Sequence, residues 1–116
     1  VRRGLAFLLT RTDGAILFRR RPPDGLLGGL HELPSSPWED GPMERDVAWR
    51  HAPTPADWRL HQAPIRHVFT HFVLELTLAE GQTDAPPEGL WCQPQHIDRL
   101  ALPSVMKKLL DRAGYM

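Results

Sequence analysis

Arg19-Arg20-Arg21-Pro22-Pro23-Asp24-Gly25-Leu26-Leu27-Gly28-Gly29-Leu30-His31-Glu32-Leu33-Pro34 is the stretch on which the fold turns. Glycine and proline at this density do not sustain a regular element, so residues 21 to 37 are predicted to form a shaped loop. Gly25, Gly28 and Gly29 permit backbone angles and close approaches that other residues do not reach. Leu26, Leu27, Leu30 and Leu33 give the loop an apolar side, enough for a tight crossover that closes a core. Upstream, Gly4 to Thr10 is a continuous apolar run suited to a central strand. Thr12-Asp13-Gly14 supplies a turn, and Ala15 to Arg20 returns as the hairpin partner.

Downstream, Pro42 to His51 is predicted to form a short helix, with Pro42 in its first turn and Glu44 and Asp46 near its positive end. Pro53 and Pro55 enforce a connector. From His71 the chain alternates strictly, Phe72, Leu74, Leu76 and Leu78 on one face and His71, Val73, Glu75 and Thr77 on the other, as a half-buried strand does. Gly89 to Gln93 reads as a further strand. Pro103 to Ala113 reads as a helix with Val105, Met106, Leu109 and Leu110 as its buried stripe and Gly114 as its stop. Strands with two flanking helices give an α+β sandwich. A chain of 116 residues fits one domain, 1–116, and at that size about two thirds of the unfolded surface is buried.

Fourteen Lys+Arg balance fourteen Asp+Glu, so net charge alone draws no nucleic acid to the chain. The charges are unevenly placed: Arg2, Arg3, Arg11, Arg19, Arg20 and Arg21 fall in the first fifth, and Arg66, His67 and His71 gather around Thr70. Such a cluster is equally a phosphate-facing patch or a solvated edge. Cys92 is alone, which excludes an internal disulfide and fits a reducing compartment. The longest apolar run, Leu5 to Leu9, is far too short to span a membrane. His51, His61 and His96 have no partner at metal-ligand spacing and read as surface or satisfied loop residues. Trp38, Trp49, Trp58 and Trp91 are scattered and read as core.

The motif R-R-P-x-x-G-L-L-G-G-L-x-E-x-P from Arg20 to Pro34, followed downstream by Val68-Phe69-Thr70-His71-Phe72, resembles the C-terminal Nudix-like domain of the MutY adenine DNA glycosylases. The likeness extends from the first hairpin to the Leu102-Pro103-Ser104 helix. It departs from a catalytic Nudix box in two places. Ser35-Ser36 stands where Gly-Gly is usual, and Glu44-Arg45-Asp46-Val47-Ala48-Trp49-Arg50 stands where a glutamate-rich R-E-x-x-E-E helix would hold a divalent metal. Glu44 and Asp46 are two residues apart and point to different sides of a helix. His31 occupies a position where the family often has Trp.

The resemblance implies a Nudix-like α/β/α sandwich with a mixed sheet and two helices, no catalytic residue and no metal ligand. It implies that Thr70 contacts 8-oxoguanine, with Phe69 and His71 as supports or stacking groups and Arg66, His67 and Arg20 toward the DNA. Read without it, Thr70 would only cap a turn. The partners implied are duplex DNA containing an A:8-oxoguanine pair and an N-terminal glycosylase domain of the same protein, which would hold a 4Fe-4S cluster. This stretch itself would hold no cofactor and act as a monomer, in the bacterial cytoplasm. The chain begins at Val1, directly before a strand, and is read as a piece of something longer. A free-standing Nudix hydrolase, an inactive Nudix interaction module and a purely structural tail are the alternatives.

Overall fold

The computed structural model describes residues Val1–Met116, and β1 (Arg2–Arg11) lies at the centre of its mixed eight-stranded sheet. Leu5 to Leu9 are buried without a break because both faces of β1 are covered, which is why its sequence does not alternate. Along one edge β1 pairs in parallel with β7 (Val73–Thr83), from Arg2 opposite Leu74 to Arg11 opposite Thr83. Along the other edge its partners change. β2 (Ile16–Arg20) joins where Thr10 faces Ile16, Ser35 bridges Ala6, and β4 (Glu39–Asp40) pairs with Arg3 and Arg2. β2 carries the sheet outward to β3 (His31–Glu32) and β8 (Leu90–Cys92). β5 (Arg59–Leu60) and β6 (Ile65–Val68) both run antiparallel to β7, β5 toward its end and β6 at its start.

One helix covers each face. α2 (Ser104–Arg112) buries Val105, Met106, Leu109 and Leu110 against Leu8, Phe18, Leu74 and Leu76, as its sequence stripe predicts. Gly114, at φ +91°, ends it, and the Tyr115 N–H reaches back to the Leu110 carbonyl. On the other face α1 (Arg45–Trp49) places Ala48 against Leu5, Phe7 and Ala79, with Trp58 packed edge-on to Phe7 and Trp49 tilted against it. This is the three-layered α+β sandwich that the sequence implies.

Three expectations need correction. The predicted loop 21 to 37 contains strand β3 and the Ser35 bridge, and His31 to Ser36 are all buried. Its second half lies beneath the sheet edge: the Phe7 N–H donates to the Pro34 carbonyl, and the Leu5 N–H to Ser36 Oγ at 2.9 Å. The Ser35-Ser36 pair thus serves as sheet edge. The helix predicted over 42 to 51 shrinks to one turn, because only Ala48 is buried and no side chain caps its start. The strand predicted from His71 begins at Val73, since Phe69 to Phe72 form a turn, and β6 before it was not foreseen.

Gly28 is required by space: a Cβ there would stand 2.2 Å from the Pro23 carbonyl oxygen. Gly28→Ala should therefore cost about 1–3 kcal/mol, the scale of a locally strained backbone, measured by urea denaturation. An unchanged midpoint would show that the 22–29 turn is not held in this shape.

Candidate nucleic-acid interface

β6 and β7 form a hairpin whose last strand pair is Val68 opposite Val73. The Phe69 N–H donates to the Phe72 carbonyl at 2.8 Å, so Thr70 and His71 form a two-residue tip, and both are exposed. The Phe69 and Phe72 rings stack beneath it, centroids 4.8 Å apart. Trp38, from the far end of the glycine-rich loop, stacks on Phe69 at 6.3 Å, and His67 meets Phe69 edge-on at 4.7 Å. A guanidinium closes each end of the row, Arg21 at 4.3 Å from the Trp38 ring and Arg2 at 4.0 Å from Phe72. Each such cation over an aromatic face contributes about 0.5–1 kcal/mol where exposed.

Five of the six sequence candidates come together here. Arg66 is exposed, and its cross-strand neighbour Glu75 is taken by Arg3 at 3.0 Å, which leaves the Arg66 guanidinium without an ion-pair partner. His67 is half-buried, and its Nδ1 is sealed from solvent with no hydrogen-bond partner. Burial, and then the nearby Lys108 charge, hold its pKa below the usual imidazole value. The hairpin's outer edge is tied to α2 by Lys108, which donates to the Arg66 carbonyl at 3.2 Å, and by Arg112, which donates to that of Ala63 at 2.9 Å. Arg20 stays outside: it is exposed on β2, separated from β7 by β1.

The residues missed are Arg2, Arg21, Trp38, Phe72 and Glu32. Trp38, expected as core, and Phe72, expected on the apolar face of its strand, do pack against the main core and also line the row beneath Thr70. Their one sequence signal is the aromatic spacing Phe69–Phe72 across a two-residue turn. Buried His31 has a plain role: its Nδ1 accepts from the Ala101 N–H at 3.0 Å, while its own N–H donates to the Ala101 carbonyl at 2.8 Å. His61, expected as a surface or satisfied residue, bonds Glu80, which also faces Arg59. A polar cleft at that end of β7 contains none of the candidates.

A Nudix metal needs several hard oxygen donors on one surface. Glu44 precedes α1 and Asp46 lies in its only turn, both exposed, and no three His, Cys, Asp or Glu side chains converge on a common point. The donor set does not fit. What the hairpin offers instead is an exposed hydroxyl, able to donate and accept, on a braced tip beside unpaired positive charge.

The NUDIX domain model matches residues 5–112. Human adenine DNA glycosylase is 32% identical over 108 residues, a match covering 81% of this chain and 20% of that protein. The chain thus spans about a fifth of the length of the curated relatives it matches. Among solved structures, the C-terminal domain of mouse MUTYH, determined in complex with human PCNA, superposes with a TM-score of 0.78 at 22% identity, over 97% of this chain and 87% of that one. The MutT protein of Methanosarcina mazei Go1 does so with 0.75 at 15%, over 96% and 91%. These two likenesses establish a shared fold.

The His67 environment sets a pH dependence. A histidine with a depressed folded pKa binds its proton less readily folded than unfolded, so the unfolded chain takes up more protons as pH falls through about 6.5 and stability drops. Urea unfolding followed from about pH 8 to about pH 5 should show this loss, and His67→Phe should remove part of it. An identical slope in the His67→Phe chain would place the effect elsewhere.

Proposed function

The chain belongs to the Nudix domain family, and we propose that it is the lesion-recognition domain of an A/G-specific adenine DNA glycosylase, reading 8-oxoguanine opposite adenine in duplex DNA. The observation that carries this is the exposed Thr70 hydroxyl at the tip of a hairpin braced from below by stacked aromatic rings. Guanine presents a bare N7 acceptor, whereas 8-oxoguanine presents N7–H as a donor and O8 as an acceptor. A hydroxyl accepts from the first while it, or a neighbouring backbone N–H, donates to the second. One short polar side chain therefore tells the lesion from its parent. His71 shares the tip and Arg66 lies on the adjoining strand, where in this proposal it meets phosphate. The 32% identity to human adenine DNA glycosylase supports the same assignment.

Adenine flipping and bond cleavage fall, in this proposal, to an N-terminal glycosylase domain of the same protein, which also carries a 4Fe-4S cluster. Cys92 is the chain's only cysteine, and burial pushes its thiol pKa up, so these residues offer no ligand set for such a cluster. The contribution of this domain, acting as a monomer, is differential binding: it favours A:8-oxoguanine so that the catalytic partner engages adenine only there.

In a protein joining this chain to its glycosylase domain, Thr70→Ala should weaken the preference for A:8-oxoguanine over A:G by about 1–3 kcal/mol, the value of one good base-reading contact. Thr70→Ser should cost much less, because it keeps the hydroxyl. If a backbone N–H carries the contact instead, Thr70→Pro is the harmful change. Adenine-release rates on matched duplexes decide, and an unchanged ratio in all three folded variants would reduce Thr70 to a turn residue. A second measurement tests the hydrolase alternative. The chain should release no pyrophosphate or phosphate from 8-oxo-dGTP with Mg²⁺, and turnover abolished by Glu44→Gln would overturn that.

A further inference from the structure

Glu32 is the one buried acidic side chain, 2% exposed, and lesion reading at Thr70 makes no direct use of it. A buried carboxylate is costly unless its oxygens are fully engaged. Here they are: Oε2 accepts from Arg19 Nε and Oε1 from Arg21 Nη1, each at 2.8 Å. Arg19, on β2, also reaches the loop and donates to the Ser35 carbonyl at 3.1 Å. Arg21 is fixed a second time, Nε donating to the Leu26 carbonyl at 3.0 Å, and its guanidinium lies over Trp38. The Trp38 indole N–H donates to Ser35 Oγ at 3.3 Å, and its ring stacks on Phe69, whose N–H closes the hairpin turn. A long arginine side chain left to itself samples many rotamers, but one held at two donors forms a fixed end to a stack.

We propose that Glu32 is a positioning residue for the hairpin tip: through Arg21 and Trp38 it fixes Phe69, and with it the orientation of Thr70. The buried loop and the tip are then one mechanical unit. Its functional consequence rests on the reading of Thr70 given above, whereas the structural link stands on the contacts alone.

Amide hydrogen exchange of the 116-residue chain, followed by NMR, tests the link directly. Phe69, bonded to the Phe72 carbonyl, reports on the tip. His61, bonded to the Leu78 carbonyl at 2.9 Å, reports on a distant part of β7. Arg21→Met keeps an apolar chain over Trp38 but loses the Glu32 anchor, and Trp38→Leu removes the stack. Both variants, with Glu32→Gln if it folds, should speed Phe69 exchange by roughly tenfold, the scale of one charge-assisted hydrogen bond, while His61 stays unchanged. Unaltered Phe69 exchange in Arg21→Met, or equal acceleration at both sites, overturns the link. In the two-domain protein Arg21→Met should lower the A:8-oxoguanine over A:G ratio. A ratio that responds to Thr70→Ala but not to Arg21→Met overturns the positioning role and leaves the Thr70 reading intact. A ratio that responds to neither overturns that reading and the functional consequence together, while the exchange data still decide the structural link.

Discussion

The parallel pairing of β1 with β7 is the contact from which the rest of the molecule is laid out. Parallel neighbours cannot be joined by a short turn, so everything between Arg11 and Val73, including the glycine-rich loop, α1 and the β5–β6 segment, belongs to one crossover. The register then sets what meets what. With Arg2 opposite Leu74, the start of β1 lies beside the residues that precede β7, and the Arg2 guanidinium falls over Phe72. The free edge of β1 is finished by Pro34 to Ser36 and β4, which brings Trp38, between them, to the same end. Two segments more than thirty residues apart in sequence thus meet at the hairpin because a single strand pairing has one register.

Net charge describes this surface poorly. Arg3, Arg11 and Arg59 each face a carboxylate, and Arg19 and Arg21 share Glu32. Exposed pairs of the first kind contribute little to stability. The Glu32 triad differs because its carboxylate is shut away from water, so removing either arginine leaves one buried oxygen without its donor. Arg2, over Phe72, also faces Asp40 at 4.0 Å, so the local excess of positive charge at the hairpin comes from unpaired Arg66, with Lys108 beside it, in a chain whose total is zero.

Elements that are wide and periodic were legible in the sequence. The α2 stripe, the apolar run of β1 and the alternation of Leu74, Leu76 and Leu78 each follow from burial on a known period. β6 was not legible: its four residues, Ile65 to Val68, carry one buried position and gain their strand geometry from pairing with β7. β3 and β4 are two-residue strands made by tertiary contact, and no propensity signal of that length exists. At the candidate site, Thr70, His71, Phe69, Arg66 and His67 stand out through the family resemblance of one contiguous motif, whereas residue pattern alone makes Thr70 a turn cap. Trp38, Arg21 and Arg2 do not stand out, because nothing in a linear reading says that a loop tryptophan will stack on a phenylalanine thirty-one residues later.

The same contacts bear on how a Nudix framework is used here. Metal-assisted hydrolysis depends on a helix long enough to present several carboxylates on one face, and α1, a single turn with one buried residue and no cap, is not such a platform. The glycine-rich loop keeps its acidic residue, Glu32, but both carboxylate oxygens are taken up by arginines rather than left open toward a cation. Those arginines in turn extend order outward, one to the Ser35 carbonyl and the other to the Trp38 ring. A carboxylate engaged in this way is part of the frame. What this end of the sheet exposes is a short hairpin carrying a hydroxyl, an imidazole and a free guanidinium.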